Sequence, residues 1–221
     1  MPFRYLISPS GGLSYHLIAR RRARTTWAPF RAAVRLWLKT WFDSLQAREL
    51  IVFGPSAGWT LPLDEFARFS RVLFVEPDPT ARFLLRRRLP SSLKAEFISR
   101  SDLLPWTGSD GNFTRFLESH PGAAVLFANV LGQIPLVASR STGRDEFLSA
   151  LKGRPWASYH DLYSGSSADA SLLPSRNPQD VFAGGDVIDH ETTWLAEGRT
   201  PQVALWPLTG KTLHIIDFVH S

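Results

Sequence analysis

The chain has 221 residues, 44% hydrophobic and 20% charged, with no cysteine. That composition describes a globular protein large enough for one α/β domain, and it excludes disulfides, zinc–thiolate sites and cysteine nucleophiles. The net charge of +5 is uneven: residues 1–100 hold 17 Lys/Arg against 7 Asp/Glu, and residues 101–221 hold 8 against 13. Such a split signals either an anionic partner or solvated arginine faces on helices. No run approaches the ~20 apolar residues of a membrane span, and the first residues lack a basic region followed by an apolar core. The missing cysteines suit a reducing compartment, so a cytoplasmic location is expected.

At the amino end, Ser8 to Gly12 reads as a turn or loop. Arg20-Arg21-Arg22-Ala23-Arg24 is the densest basic cluster. It suits nucleic acid phosphates or the polar face of a helix, although no recognised RNA-binding motif accompanies it. Residues 27–47 predict a helix, because Phe30, Val34, Trp37, Trp41 and Leu45 recur at spacings of three and four. Such a stripe packs in a core, or lies on a membrane surface with Arg31, Arg35 and Lys39 among the headgroups. Residues 1–48 therefore read as an N-terminal helical extension or cap.

Glu49 to Pro79 organises the remainder. Leu50-Ile51-Val52-Phe53 is short enough for a buried strand. Gly54, Pro55, Ser56, Ala57 and Gly58 make a tight turn of small residues. Thr60 as N-cap and Pro62 in a first turn predict a helix carrying Leu63, Phe66, Ala67 and Phe69 inward. A second strand, Val72 to Val75, ends on Glu76-Pro77. Small residues admit a ligand close to the backbone, and a strand-tip carboxylate accepts hydrogen bonds from both hydroxyls of a ribose. Glu76 lies 18 residues past Gly58, near the ~20 expected for such an acid. Neither G-x-G-x-x-G nor G-x-x-x-x-G-K-[ST] is present, so phosphate cradling at this turn is not indicated.

Asp78 and Pro79 open a helix that runs to Arg86-Arg87-Arg88 and stops at Pro90. Ala95 to Ile98 predicts a third strand, followed by Asp102, Leu103 and Trp106. Asn112 to Ser119 is helical, and Ala123 to Ala128 is a strand leading into Asn129 and Gln133. Arg144 to Leu151 is the next helix. Trp156 to Asp161 is a fifth strand ending on His160 and Asp161, either of which suits a general base or a substrate contact. Residues 163–190 read as a long loop or lid with a short helix near Pro178 to Phe182. Val203 to Trp206 and Leu213 to Val219 flank turn residues and predict an antiparallel hairpin. The sum is an α/β fold. Residues 49–221 form a doubly wound, mostly parallel seven-stranded sheet with an antiparallel C-terminal hairpin and helices on both faces.

From Glu49 to the C-terminus this pattern resembles the class I (Rossmann-like) S-adenosylmethionine-dependent methyltransferases. Gly54 and Gly58 match the first and last glycines of that family's first motif. Ser56 stands where the middle glycine falls, Val52 where an acid falls, and Glu76 matches the acid ending the second strand. The resemblance implies S-adenosylmethionine bound across Gly54, Pro55, Ser56, Ala57, Gly58, Glu76, Pro77, Asp102, Leu103 and Asn129. Asp102 would accept from the adenine amino group, and Asn129, His160 and Asp161 would serve the methyl-transfer site. No metal is implied. Asn129-Val130-Leu131-Gly132 lacks the two prolines and aromatic residue of the amino-methylating subgroup, so adenine or glutamine N-methylation is not implied. Three functions follow as alternatives: a methyltransferase acting on a small-molecule acceptor, a non-catalytic subunit binding a partner protein, and an RNA-directed enzyme or RNA-binding protein using Arg20–Arg24.

Overall fold

The computed structural model describes residues 13–103, 111–133, 141–166, 172–182 and 186–221. Five strands pair in parallel: β1 (Glu49–Phe53), β2 (Arg71–Val75), β3 (Ala95–Ile98), β4 (Ala123–Ala128) and the start of β5 (Trp156–Ser166). Short β6 (Val187–Asp189) and the hairpin β7 (Gln202–Pro207) and β8 (Thr212–His220) join antiparallel. The order across the sheet is β3-β2-β1-β4-β5-β8-β7, with β6 beside β5 off this path. The chain winds outward from β1 to β3, then returns to the other side of β1 for β4. That reversal opens a crevice at the carboxyl ends of β1 and β4, where doubly wound sheets bind ligands.

Strand alternation divides the apolar residues between two layers. Leu50, Val52, Val72, Phe74 and Leu126 face α2 (Ala28–Ser44), with Ala19 of α1 (Leu13–Arg22) and Leu85 of α3 (Pro79–Arg86). Ile51, Phe53, Leu73, Val75, Val125 and Phe127 face α4 (Asn112–Glu118) and α5 (Ser141–Leu151), through Phe113, Leu117, Phe147 and Leu151. The predicted stripe of α2 is core: Phe30 stacks on Trp206 and Trp37 on Phe218, each at 5.0 Å between ring centres. The membrane-surface reading of this helix fails because its apolar face is covered by protein. No helix among the described residues is long and apolar enough to cross a membrane.

Several expectations are corrected. The helix predicted after the small-residue turn shrinks to a 3-10 turn, Glu65–Arg68. Phe42 of α2 packs edge-on against Phe66 and Phe69, so α2 occupies the face a longer helix would need. Thr60 caps nothing and bonds Tyr159 instead. Conversely, α1 carries Arg20 to Arg22 of the basic cluster on a helix, and β5 runs five residues past its expected end at Asp161. The extension holds because β8 pairs with it on one side and β6 on the other. The short helix near Pro178 is a 3-10 turn, Pro178–Asp180. Trp106 lies outside the described residues, as do 167–171 and 183–185 of the predicted loop.

Candidate ligand cleft and an aspartate–histidine pair

The turn after β1 is bent three times into the left-handed region, with φ of 63° at Gly54, 50° at Ser56 and 67° at Gly58. Glycine is needed at Gly54 for space as well, since a Cβ there would lie 2.6 Å from Val130 Cβ. This bend turns the Ser56 N–H toward the tip of β2, where it donates to Glu76 Oε2 at 2.8 Å. The Asp78 N–H donates to Glu76 Oε1 at 3.0 Å. Asp78 in turn caps α3 by accepting from Thr80 N–H at 2.8 Å, and Arg82 donates to the carbonyls of Glu76 and Pro77. The acid is therefore fixed at both oxygens. It is 8% exposed, and burial pushes its pKa above the usual carboxylate range against the opposing pull of the two N–H donors.

Glu76 opens onto a cavity of about 740 Å³. Its floor is the carboxyl ends of the central strands: Gly54, Pro55, Ser56, Glu76, Pro77, Asn129 and Asp161. Tyr15 and His16 of α1, with Trp27, Trp59, Tyr159 and Trp206, supply aromatic walls. The N-terminal segment thus covers the cleft: Trp59 Nε1 donates to His16 Nδ1 at 3.2 Å, and Trp27 Nε1 to the Pro207 carbonyl at 3.0 Å. Asn129 also has a left-handed backbone, with φ of 56°, and its N–H donates to Tyr159 O at 2.8 Å. Its buried Oδ1 has no hydrogen-bond partner among the described residues. A lone acceptor of this kind on a cavity wall carries a desolvation cost that a donor on a ligand would remove.

β5 and β8 bring two further lining residues, Asp161 and His214, together. His214 Nδ1 donates to Asp161 Oδ1 at 2.8 Å. A carboxylate accepts, so in the neutral tautomer Nδ1 carries the proton and Nε2 the lone pair. Asp161 is 3% exposed and its carbonyl accepts from Thr192 Oγ1 at 2.8 Å. Gly132 packs against the Asp161 backbone, where a Cβ would come within 2.6 Å of its nitrogen. His190 is close by, but its Nδ1 donates to the Gly132 carbonyl at 2.7 Å and its Nε2 meets Ser164 Oγ at 2.9 Å. Asp161, His190 and His214 have potential ligand atoms within 4.8 Å of one another. With both His190 nitrogens engaged, the group reads as a hydrogen-bond network rather than a metal centre.

Of the residues singled out by sequence, Gly54, Pro55, Ser56, Glu76, Pro77, Asn129 and Asp161 line the cavity. Ala57, Gly58, Asp102, Leu103 and His160 do not. Asp102 is held by Arg100, which keeps its pKa below the usual range, and by Asn112 Nδ2 at 3.0 Å. His160 alternates to the face of β5 opposite Tyr159 and Asp161, is wholly buried, and bonds Ser158 Oγ at 2.9 Å. Burial pushes its pKa down to about 3, so it is a neutral structural histidine. The Gln133 side chain lies outside the described residues. Sequence reasoning missed Tyr15, His16, Trp27, Tyr159, Trp206 and His214. His214 had one legible signal, a lone polar residue inside the apolar run Leu213 to Ile216.

A larger concavity of about 1200 Å³ lies at the opposite end of the sheet, around Pro121, Gly153 and Arg154. Arg154 there is engaged by the carbonyls of Leu117, His120 and Ala123.

No family model and no curated protein matches this chain. Solved structures do. The N-methyltransferase NodS from Bradyrhizobium japonicum WM9, in complex with S-adenosyl-L-homocysteine, is 16% identical; the match covers 85% of this chain and 86% of that one, with a TM-score of 0.45. Magnesium protoporphyrin IX methyltransferase from Synechocystis PCC 6803, with bound SAM, is 13% identical over 92% and 84% of the two chains, with a TM-score of 0.49. CalS10, an amino pentose methyltransferase from Micromonospora echinaspora, is 18% identical over 91% and 95%, with a TM-score of 0.42. In none of the three does identity reach one fifth, so the ligands of those crystals say nothing directly about this cavity.

Proposed function

We propose that the cleft binds S-adenosylmethionine and that the protein transfers its methyl group to an acceptor carrying an O–H or N–H. The observation that carries the reading is Glu76: a buried carboxylate, tied to the Ser56 N–H of the left-handed bend and opening onto a cavity of ligand size. Each of its oxygens accepts one backbone bond and keeps lone-pair capacity for a ribose hydroxyl. The orphaned Asn129 Oδ1 fits a donor on the same ligand, such as its amino group. The strand order, with an antiparallel hairpin at one edge of a parallel sheet, agrees with the resemblance seen in the sequence.

Bound S-adenosylmethionine supplies an electrophilic methyl carbon on a sulfonium, which is transferred by direct displacement. What the protein adds is alignment and a proton acceptor. In this reading His214 Nε2 takes the acceptor's proton as the new bond to carbon forms, while Asp161, bonded to Nδ1, holds the ring in the required tautomer and stabilises the imidazolium. Tyr159, held by Thr60 at 2.8 Å, and Trp206 shape an aromatic wall suited to a planar or apolar acceptor. Isothermal titration with S-adenosylmethionine tests the binding; Glu76→Gln, which keeps the side chain's volume, should abolish most of it.

Two observations favour a second reading, a non-catalytic ligand-binding or scaffold subunit. Val52 is wholly buried where the family's motif carries an acid, and only a 3-10 turn follows the bend. Binding of S-adenosylmethionine without turnover against a panel of phenols, amines and carboxylates would support it.

A further inference from the structure

A second pocket, of about 310 Å³, adjoins the cleft and shares His16 and Trp59 with it. Its other walls are Leu17, Leu84 and four arginines: Arg20, Arg24, Arg87 and Arg88. They converge from the C-terminal ends of two helices, α1 and α3, and from the segments that follow. Arginine at a helix C-terminus is favoured by the helix dipole, which accounts for each cluster separately. It does not account for two such clusters facing one another across a concavity.

No aspartate or glutamate lines the pocket, and none is ion-paired with any of these four arginines among the described residues. Other arginines of this protein behave differently: Arg35, Arg68, Arg71, Arg100, Arg144 and Arg176 all hold carboxylates. Arg88 is the innermost of the four. Its guanidinium donates to the Ala57 carbonyl and stacks over the Trp59 ring at 4.1 Å. Burial, together with the charges of Arg31 and Arg24, pushes its pKa down to about 10. The pocket thus concentrates positive charge that the protein does not neutralise, beside a planar aromatic ring.

We propose that this pocket binds an oxyanion, a phosphate or carboxylate group, through Arg20, Arg24, Arg87 and Arg88. Guanidinium groups present paired N–H donors that match the oxygens of such a group, and the low exposure of Arg88 strengthens the contact. The inference stands apart from the methyl-transfer reading, since it requires only the pocket and its charges. It assigns Arg20 and Arg24 of the basic cluster to a small anionic group rather than to a nucleic acid backbone.

The test uses the full chain and inorganic phosphate and pyrophosphate as probes, each compared with chloride at equal ionic strength. Thermal unfolding should show a saturable rise in Tm, about 3–6 °C at ten times the dissociation constant. The Arg20→Gln/Arg24→Gln double variant alters two exposed side chains, so it should fold normally and lose that rise. Arg87→Gln is the independent check should the double variant unfold. S-adenosylmethionine titrated into the same variant identifies the source of the oxyanion: weakened binding makes it the carboxylate of the cleft's own ligand, and unchanged binding makes it part of a separate ligand. Either result keeps the pocket. A Tm no higher in phosphate than in chloride, a rise that survives in both variants, or binding seen only with a single-stranded RNA and not with phosphate or pyrophosphate would overturn it.

Discussion

The two halves of the cleft are built differently. On the Glu76 side, a bend and a carboxylate 20 residues apart along the chain meet through one backbone hydrogen bond, between neighbouring parallel strands. On the Asp161 side, the partner is His214, 53 residues away, delivered by an antiparallel strand inserted beside β5. The first half is a local motif whose geometry is fixed by glycine φ angles and a helix cap. The second depends on the register of the antiparallel β5–β8 pair, where a one-residue slip would point His214 out of the cleft. The half proposed to hold the ligand can therefore be read from short spacing, whereas the half proposed to accept the proton cannot.

Variants of each half should separate binding from turnover. The largest effect is expected from His214→Gln: methyl transfer should fall about 10²–10⁴-fold with S-adenosylmethionine affinity little changed, measured by steady-state kinetics beside calorimetry. An equal loss in both would move His214 into the binding half. Gly54→Ala should act on the other half. Forcing a Cβ into the left-handed bend and against Val130 should destabilise the fold by about 2–4 kcal/mol in urea titrations and weaken ligand binding.

Histidine 160 supplies a contrast within β5 itself. The unfolded chain takes up a proton there near pH 6.5, while the folded chain does so only at about 3. The contribution is thus fully present above pH 6.5 and is lost as pH falls across that window. His160→Gln should flatten the fall of the urea midpoint between pH 7 and pH 4 without altering methyl transfer at neutral pH. The smallest effect is expected from Asp102→Ala. Its carboxylate is committed to Arg100 and Asn112 and does not line the cavity, so ligand affinity should stay near that of the unaltered protein.

Much of the fold was legible. Apolar runs of four to six residues gave β1, β2 and β4, the Phe30–Trp41 stripe gave α2, and Asp78-Pro79 gave the start of α3 with its cap. The bend and Glu76 were legible because both needs, space and a strand-tip acid, leave residue signatures. The helix after the bend was misread because Phe66 and Phe69 satisfy a helical stripe while actually packing on α2. His160 and Asp161 looked alike in sequence; alternation at the strand end gave the cleft to Asp161 and the core to His160. The aromatic cover, Tyr15, His16 and Trp27, was invisible because tertiary packing alone brings it over the strand ends.

The central claim is that Glu76 and the Gly54–Gly58 bend hold the sugar of an adenosyl ligand. Isothermal titration of S-adenosylmethionine into the unaltered protein and into Glu76→Gln tests it most directly. Loss of hydrogen bonds to a charged acceptor should weaken binding at least tenfold in the variant, with the fold intact by circular dichroism. Equal affinity in the two proteins, or no binding by the unaltered chain, would contradict it.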